Sequence, residues 1–409
     1  MATKRSNGEG TLYFNEKRQR WEAQSSYKDE YGKSKRKLFV GQSQKEVNKK
    51  RQDWQKEVDN GLLPSSAKTL LETWINRWLQ DFVKPSVKTK TYEKYNSSMK
   101  YVLFKFSKTP ISKITTTEMQ KFFNELLVKG GQEGTGVASS TVRSTRRNLI
   151  SCFDKALVIG IVTKNVIRLT TPSRLIKEEI HPLSEQQISI LLTIAKEGEY
   201  IYLDKKQHQK PSIDNQYLQK LAYTSIMMTL NTGMRRGEVF GLKWSDIDLE
   251  NNVIHVQRSL SSTATQGLIL EEPKTKGSRR RIPINAKTTK VLATYRDEQK
   301  QFAGLLGDVF QNTEDLVFCN SFGQPMSPSN FSRRFYKKIT RKAGIDDSFT
   351  FHDLRHTHAT LLIQQGVHIK VISERLGHSS INITLETYSH IMPSMQETAI
   401  QTLDNLSMY

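Results

Sequence analysis

Alternating and helical patterns follow each other in the N-terminal part of the chain. Residues 11–27 alternate in part between apolar and polar positions, and residues 35–40 do so again after a turn sequence at 29–32. From Ser43 the apolar positions recur at helical spacing, and this pattern ends near Gly61. The N-terminal segment is therefore predicted to be a small antiparallel sheet followed by one helix.

Helical spacing also dominates the second segment. Apolar residues recur at intervals of three and four from Leu70 to Phe82. Further stretches with this period lie at about 89–106, 115–129, 139–158 and 160–168. The pattern predicts a four- or five-helix bundle over residues 69–168, joined to the N-terminal segment by a linker at 62–68.

The third segment mixes helical and strand patterns. It follows a second linker at 169–182 and begins with Ser184 and Gln187 at the spacing of a capping box. Helical patterns lie at 215–250, 286–303 and 328–343, and strand patterns lie at 252–258 and 268–284. The chain is thus predicted to be multidomain and mainly helical, with a mixed, mainly helical third domain that contains a small sheet.

Positive charge is concentrated in the first two segments. The chain has 62 Lys and Arg against 41 Asp and Glu, a net charge of +21. Residues 1–60 carry +6 and residues 61–178 carry +12, which leaves +3 for residues 179–409. Such an excess favours a nucleic acid as the partner over a merely solvated surface. The residues expected to contact phosphates are Arg18, Arg20, Lys35 and Lys37 in the sheet, and Arg143, Arg146 and Arg147 in the bundle.

Cysteine content and hydropathy indicate the cellular compartment of the protein. Cys152 and Cys319 are too few for a disulfide framework. No apolar run approaches the ~18–20 residues of a membrane span, and the first ten residues lack the apolar core of a signal peptide. We therefore expect a cytoplasmic protein.

The segment at 231–238 is the first with side chains suited to phosphate chemistry. Gly233 lets the chain turn between two helices and places Arg235 near the start of the second. A guanidinium fork and a helix N-terminus both suit a phosphate. Glu238 can orient that guanidinium.

Two further segments add a lysine and a histidine–arginine pair. A basic hairpin at 272–283 carries Lys274, and composition does not separate a DNA-contacting lysine from a catalytic one. If their segment is helical, His352 and Arg355 share a face. His352 and His356 are four residues apart, but the glutamate of His-Glu-x-x-His and a nearby Cys pair are both missing, so we expect no metal.

The last segment contains His378 and, ten residues later, Tyr388. Taken alone, that tyrosine would be read as a packing residue. In their order, however, these segments resemble the tyrosine recombinase family, specifically the integrases of temperate phages and conjugative transposons. The motifs cover about residues 180–392, whereas residues 1–178 match only by layout. The matching catalytic positions are Arg235, Lys274, His352, Arg355, His378 and Tyr388.

The resemblance implies a mechanism. Tyr388 would attack a DNA phosphodiester and form a 3′-phosphotyrosine, while the two arginines hold the non-bridging oxygens and the two histidines assist. Lys274, or Lys276 if the hairpin register shifts by two, would protonate the leaving 5′-oxygen. The phosphotyrosine conserves the bond energy, and we expect no cofactor.

The family layout also implies a role for each domain. Residues 1–61 would bind arm-type DNA sites, and residues 69–168 would bind core-type sites together with the catalytic domain at 183–392. The tail at 393–409 is predicted to be a helix that packs either on a neighbouring protomer or on the protomer to which it belongs. A homotetramer on double-stranded DNA is expected, with an excisionase and a host DNA-bending protein as accessory partners.

Three other functions remain open. A Xer-type resolvase or invertase uses the same chemistry but usually lacks the N-terminal sheet domain. A DNA-binding regulator would have lost catalysis. A metal-dependent nuclease would use four histidines of the third domain, His352, His356, His358 and His378.

Overall fold

The computed structural model of the chain forms two compact units, Met1–Lys177 and Glu178–Tyr409. The structure describes residues 12–28, 34–59, 69–130, 134–174, 181–198, 212–272, 279–389 and 404. Lys274, Lys276 and nearly all of the predicted tail at 393–409 lie outside these residues. Within them, no helix is both long and apolar enough to cross a membrane.

The N-terminal sheet has three antiparallel strands followed by a helix. They are β1 (Leu12–Asn15), β2 (Arg20–Lys28), β3 (Ser34–Gly41) and α1 (Gln44–Asp59). The predicted single strand over 11–27 is therefore wrong, because a turn at 16–19 folds β1 back on β2. Gln19 has a φ of 47°, a left-handed conformation that is found in tight turns. The predicted turn at 29–32 lies outside the described residues.

The helical pattern that the sequence places from Ser43 onward begins with a helix cap at Ser43. The Ser43 hydroxyl accepts a hydrogen bond from the backbone N–H of Glu46 at 3.2 Å. The Glu46 carboxylate in turn accepts one from the backbone N–H of Gln42 at 2.9 Å. The side chains thus satisfy donors that the first turn of α1 leaves open.

The second segment is a bundle built from four predicted helices. They are α2 (Leu71–Arg77), which continues as a π-helical segment (Trp78–Val83), α3 (Thr89–Phe106), α4 (Thr116–Lys129) and α5 (Ser139–Ile159). The apolar positions read from the sequence form its core, including Leu71, Trp74, Leu149, Cys152 and Phe153.

The fifth helix predicted at 160–168 is wrong, because this segment forms turns. The side-chain oxygen of Asn165 accepts hydrogen bonds from the backbone N–H groups of Ile167 and Arg168, at 3.0 and 3.4 Å. Its amide nitrogen donates to Asp154 at 2.7 Å. Such local bonds give the backbone an alternative to the helical pattern.

The second unit is mainly helical, as predicted. Its helices are α6 (Glu185–Glu197), α7 (Ile213–Thr232), α8 (Arg236–Phe240), α9 (Ala286–Leu306), α10 (Pro328–Phe331), α11 (Lys337–Lys342), α12 (Asp353–Gln364), α13 (Ile369–Leu376) and α14 (Ile381–Tyr388). A π-helical segment (Ser332–Tyr336) joins α10 to α11. The Ser184 cap is confirmed, since its hydroxyl accepts from the backbone N–H of Gln187 at 3.2 Å and its own N–H donates to the Gln187 side chain at 3.0 Å.

The second unit also contains a small antiparallel β-sheet and a β-hairpin. One sheet has the order β4 (Ile247–Asp248), β5 (Val253–Val256) and β8 (Arg280–Pro283), and a hairpin pairs β6 (Ser259–Thr263) with β7 (Gly267–Glu271). The strand pattern at 268–284 therefore contains β7 and β8, whereas β6 was not predicted.

Aromatic packing fixes the helices that carry the candidate site. The ring of Phe240 in α8 lies 4.9 Å from that of Phe331 and 6.1 Å from that of Phe351, measured between centroids. Phe351 lies two residues before Asp353, the first residue of α12. All three side chains are buried, so the end of α8 and the start of α12 are held in one core.

Candidate active site

Arg235 lies at the N-terminus of α8, as the sequence predicts. Gly233 ends α7 with a φ of 66°, a conformation that favours glycine. A β-carbon at this position would lie 2.6 Å from the His358 ring and 2.7 Å from Leu376. The turn therefore requires glycine for its conformation and for the close approach of the helices beneath it.

Glu238 holds the Arg235 guanidinium, as predicted. Its carboxylate accepts hydrogen bonds from the Arg235 side chain and from the Arg235 backbone N–H, both at 2.9 Å. Burial alone would raise the pKa of Glu238, but hydrogen bonds and positive charge from Arg280 and Arg235 outweigh it and lower that pKa. The other end of the Arg235 fork donates to the Gly377 carbonyl at 3.0 Å.

Two arginines that the sequence analysis did not single out connect these elements. Arg280 in β8 donates to Glu238 at 2.7 Å and to the Arg375 carbonyl at 2.7 Å. Arg375 donates to the His358 ring at 3.1 Å and to the Asn231 carbonyl at 2.8 Å. The network ties β8, α7 and α13 around the start of α8. Nothing local in the run at 279–281 distinguishes Arg280 from its neighbours.

Arg355 is a buried cation with an open hydrogen-bond donor. Only 2% of the surface of Arg355 is exposed to solvent, and one of its terminal nitrogens donates a hydrogen bond to the Gly233 carbonyl at 2.7 Å. The other terminal nitrogen, Nη2, is buried and has no partner among the described residues. Burial, together with the charge of Arg235, lowers the pKa of Arg355 to about 9. A buried donor of this kind is costly unless an acceptor occupies the space before it.

Tyr388 is the last residue of α14, and it is fully buried. Its hydroxyl lies 2.7 Å from Nδ1 of His356 in α12. Burial raises the pKa of Tyr388 to about 12, although the nearby charge of Arg355 acts in the opposite direction. The phenol thus meets a histidine that the predicted catalytic set did not include.

The two predicted histidines lie at the edges of this group. His352 is partly exposed at the N-terminus of α12, and its ring stands perpendicular to that of His356 at 5.0 Å. Nδ1 of His378 lies 2.7 Å from the Thr384 hydroxyl. Burial and positive charge lower the pKa of both rings, to about 4 for His378, so they are neutral at neutral pH.

The structure brings five of the six predicted catalytic residues together. The charges of Arg235 and Arg355 act on His352 and His378, and that of Arg355 acts on Tyr388. The sixth, Lys274, and its alternative Lys276 lie outside the described residues. The arrangement presents two guanidinium groups, neutral imidazoles and one phenol, which suits nucleophilic attack on an anionic ester.

The histidines do not converge as a metal site would require. Nδ1 of His358 lies 2.7 Å from the Leu230 carbonyl, and its Nε2 accepts from Arg375. His356 and His378 have the separate partners described above. Within the described parts of the chain, no three side chains of His, Cys, Asp or Glu are grouped so that they could hold a metal ion.

Two of the three bundle arginines hold the segment that follows the bundle. Arg143 donates to the Ser173 carbonyl at 2.5 Å, and Arg146 donates to the hydroxyl and carbonyl of Thr170 at 2.8 and 2.5 Å. Arg147 is exposed. The contact of these side chains with phosphates stays a prediction, and Arg147 has the most accessible position for it.

The basic side chains of the N-terminal sheet differ in their surroundings. Arg18 and Lys35 are exposed. Arg20 donates to Glu22 at 2.9 Å, and the Lys37 ammonium lies 5.1 Å from the Trp54 ring centroid. Nucleic-acid binding by these four residues also stays a prediction.

Comparison with known proteins finds family profiles and relatives that match most of the chain. The profile of the phage integrase family matches residues 182–395, and that of the SAM-like N-terminal domain of phage integrases matches residues 70–127. The tyrosine recombinase XerC-like protein of Caldanaerobacter subterraneus subsp. tengcongensis is 30% identical over 401 residues, which cover 93% of this chain and 94% of the relative. The ICEBs1 integrase of Bacillus subtilis is 27% identical over 317 residues, covering 76% of this chain and 78% of the relative.

Solved structures share the fold. The Tn1549 transposon integrase in complex with transposon right end DNA superposes with a TM-score of 0.62 at 20% identity, covering 83% of this chain and 100% of the other. A lambda integrase tetramer bound to a Holliday junction matches with a TM-score of 0.54 at 18% identity, covering 95% of this chain and 97% of the other.

Proposed function

This chain belongs to the phage integrase family of tyrosine recombinases, enzymes that exchange DNA strands at specific sites, and we propose that Tyr388 is the residue through which it does so. The predicted family and enzyme class are thereby confirmed. Arg235 and Arg355 would hold the scissile phosphate, with His352 and His378 beside them. The proposed site rests on the geometry described above.

The buried, unpartnered Nη2 of Arg355 is the observation that carries this proposal. Its fork already uses one nitrogen on the Gly233 carbonyl, and the remaining donor faces no acceptor among the described residues. A phosphate oxygen would satisfy that donor and neutralise the buried charge. Arg235 offers a second guanidinium, already oriented by Glu238.

The reaction is a transesterification. The Tyr388 oxygen attacks the phosphorus, the bond from phosphorus to the 5′-oxygen breaks, and a 3′-phosphotyrosine and a free 5′-hydroxyl result. Negative charge that develops on the phosphoryl oxygens is stabilised by guanidinium groups that need no reorganisation. Lys274, or alternatively Lys276, would donate the proton to the leaving 5′-oxygen. A 5′-hydroxyl from the partner strand then reverses the step and completes the exchange without a cofactor.

We further propose that the DNA exchanged is that of a mobile element, integrated into and excised from a bacterial chromosome. Relatives named integrase come from Bacillus subtilis and from Staphylococcus phage L54a, the latter 25% identical over 364 residues. A resolvase or invertase remains the second candidate, because another relative is described as XerC-like. Recombination between DNA from the ends of the element and a host site would favour the integrase. Exchange only between two copies of one site would favour the resolvase.

The proposed partners are double-stranded DNA with core-type and arm-type sites, and three further copies of this chain. One structure of the same fold is a tetramer bound to a Holliday junction. We assign arm-type binding to residues 1–61, core-type binding to 69–168 and catalysis to 183–392. An excisionase and a host DNA-bending protein are the proposed accessory factors. If removal of residues 394–409 leaves assembly on DNA unchanged, the predicted role of the tail in contacts between protomers is wrong.

A nicked suicide substrate tests the proposed function. The duplex is taken from the DNA that flanks the coding sequence, and the nick lets the short 5′-hydroxyl strand diffuse away after cleavage. The wild-type protein should accumulate as a covalent DNA adduct with or without a chelator, whereas Arg355→Ala should bind without forming it. Specific binding without any adduct would instead identify a DNA-binding regulator, and an adduct that disappears on chelation would favour a metal-dependent enzyme.

A further inference from the structure

The hydroxyl of Tyr388 has one hydrogen-bond partner among the described residues, and that partner is His356. The distance from the hydroxyl oxygen to Nδ1 is 2.7 Å, and the two ring centroids are 5.7 Å apart. The bond joins α12 to α14 across 32 residues of sequence. It is the kind of contact that a nucleophile makes with the group that takes its proton.

The other histidines of this region are less suited to that task. His352 meets the edge of the His356 ring and is not bonded to the phenol. His378 is engaged with the Thr384 hydroxyl, and both nitrogens of His358 have partners. His356 is therefore the only histidine among the described residues that touches the reacting oxygen.

His356 is in the protonation state that a proton acceptor needs. Burial lowers the pKa of His356, so the ring is neutral at neutral pH and one of its nitrogens is free to accept. With the ring proton on Nε2, Nδ1 accepts the hydrogen bond of the phenol. No other contact of this ring competes for Nδ1 in the described part of the chain.

Charged and titratable groups face His356 from each element around it. On α12 these are His352, Asp353, which raises the pKa of the ring, and Arg355, which lowers it. Tyr388 approaches from α14, and His378 lies close enough to interact electrostatically. A phosphodiester bound at Arg355 would add negative charge near the ring and favour its protonated form.

We infer that His356 is a catalytic residue that accepts the hydroxyl proton of Tyr388 during DNA cleavage. This inference rests on the proposed function, in which Tyr388 is the nucleophile. The O–H bond breaks as the bond from oxygen to phosphorus forms, and the proton moves to Nδ1. The leaving 5′-oxygen takes its proton from a different donor. During rejoining, the same proton returns from Nδ1 to the tyrosine oxygen.

Substitution by asparagine separates proton transfer from positioning. The amide of His356→Asn can still hydrogen-bond near the place of Nδ1, but it cannot accept a proton at neutral pH. Single-turnover cleavage of the suicide substrate is measured against pH for the wild type, His356→Asn and His356→Ala. His368→Asn is the matched control, because His368 is exposed and accepts a cap bond from the backbone of Lys370 that asparagine can replace.

Near pH 7, the cleavage rate of both His356 variants should be lower than that of the wild type by about 10²-fold or more, with unchanged DNA affinity. Their rates should continue to rise into the alkaline range, where the wild-type rate has already levelled off. His368→Asn should behave as the wild type. A wild-type rate and pH profile for His356→Asn would overturn the inference and leave His356 only a positioning role. Cleavage faster than that of the wild type would also overturn it, and would show that the contact with His356 restrains the tyrosine.

A substrate with sulfur in place of the 5′-bridging oxygen provides a second measurement. Its leaving thiolate needs no proton, so it should relieve the loss of the proton donor in Lys274→Ala but not the defect of His356→Asn. Full recovery of His356→Asn on this substrate would contradict the assignment. Tyr388→Phe separates a failure of the proposed function from a failure of the inference about His356. A covalent adduct formed by Tyr388→Phe would refute the proposed function itself. If Tyr388→Phe forms no adduct, the measurements on the His356 variants test only the role of His356.

Discussion

Both carboxylate oxygens of Glu238 accept hydrogen bonds from Arg280, at 2.7 Å and 3.2 Å, across 42 residues of sequence. Both side chains are 6% exposed. The same carboxylate orients Arg235, so one buried anion connects the start of α8 to β8, the strand that follows Lys274 in the sequence. The relative position of the two segments that are proposed to act on the phosphate depends on this bond.

Glu238→Gln should lower the free energy of unfolding by about 3 kcal/mol, because it leaves the buried Arg280 without its counter-charge. Thermal or urea unfolding measures this. Glu272→Gln is the matched control, since its ion pair with Arg279 is exposed, and we expect no measurable change there. Equal stability of the two variants would show that the buried pair contributes little.

The stabilising effect of Glu238 should depend on pH. Its pKa is lower in the folded state than in the unfolded state, so the contribution is complete above the unfolded value of about 4.3. It is lost as the pH falls through the lower pKa of the folded protein. The difference in stability between the wild type and Glu238→Gln should therefore shrink below about pH 4. A difference that stays constant down to that range would contradict the assigned direction.

Arg355→Lys should impair cleavage by about 10²-fold or more, although it keeps the positive charge. A lysine has no planar fork and cannot bond the Gly233 carbonyl and a phosphate oxygen in the same geometry. Single-turnover rates on the suicide substrate, with DNA affinity measured in parallel, check this. A lysine variant as active as the wild type would mean that only the charge of Arg355 matters.

The bundle arginines should fall into two groups. Arg147→Ala should reduce the salt dependence of core-site binding by ~1 in the slope of log K against log salt, because one phosphate is no longer neutralised by an exposed guanidinium. Arg143→Ala should mainly lower stability, because Arg143 holds the Ser173 carbonyl. Binding measured at several salt concentrations, with unfolding curves, tests both. The reverse pattern would place the phosphate-binding side chain at Arg143.

The N-terminal sheet should bind arm-type DNA. Combined replacement of Arg18 and Arg20 by alanine should weaken arm-site binding and lower its salt slope by ~1 for each phosphate that these arginines neutralise. Binding to a core-site duplex serves as the internal control and should not change. An unchanged slope on arm-type DNA would refute the role assigned to these two residues.

Features that depend on neighbouring residues were predictable from the sequence. The cap between Ser184 and Gln187 and the turn at Gly233 that starts α8 at Arg235 are set by residues three positions apart or fewer. The periods of the bundle helices followed equally directly from the spacing of their apolar residues. A helix was wrongly predicted at 160–168 because the apolar spacing of this segment does not reveal the hydrogen bonds that Asn165 makes.

Features that depend on distant contacts were not predictable. The bond between His356 and Tyr388 joins two helices, and the spacing of four residues between His352 and His356 raised only the question of a metal site, which the neighbouring residues did not support. Arg375 acquires its role only when α13 brings it to the His358 ring. Resemblance to a family supplied the proposed catalytic residues, but not these contacts between distant segments.

The most direct test of the central claim is to locate the covalent bond between protein and DNA. The adduct trapped on the suicide substrate is digested with nuclease and protease, and the modified peptide is sequenced by mass spectrometry. We predict a 3′-linked nucleotide on Tyr388 and no adduct from Tyr388→Phe, which should still bind the same DNA. A nucleotide on any other residue, or an adduct that survives in Tyr388→Phe, would contradict it.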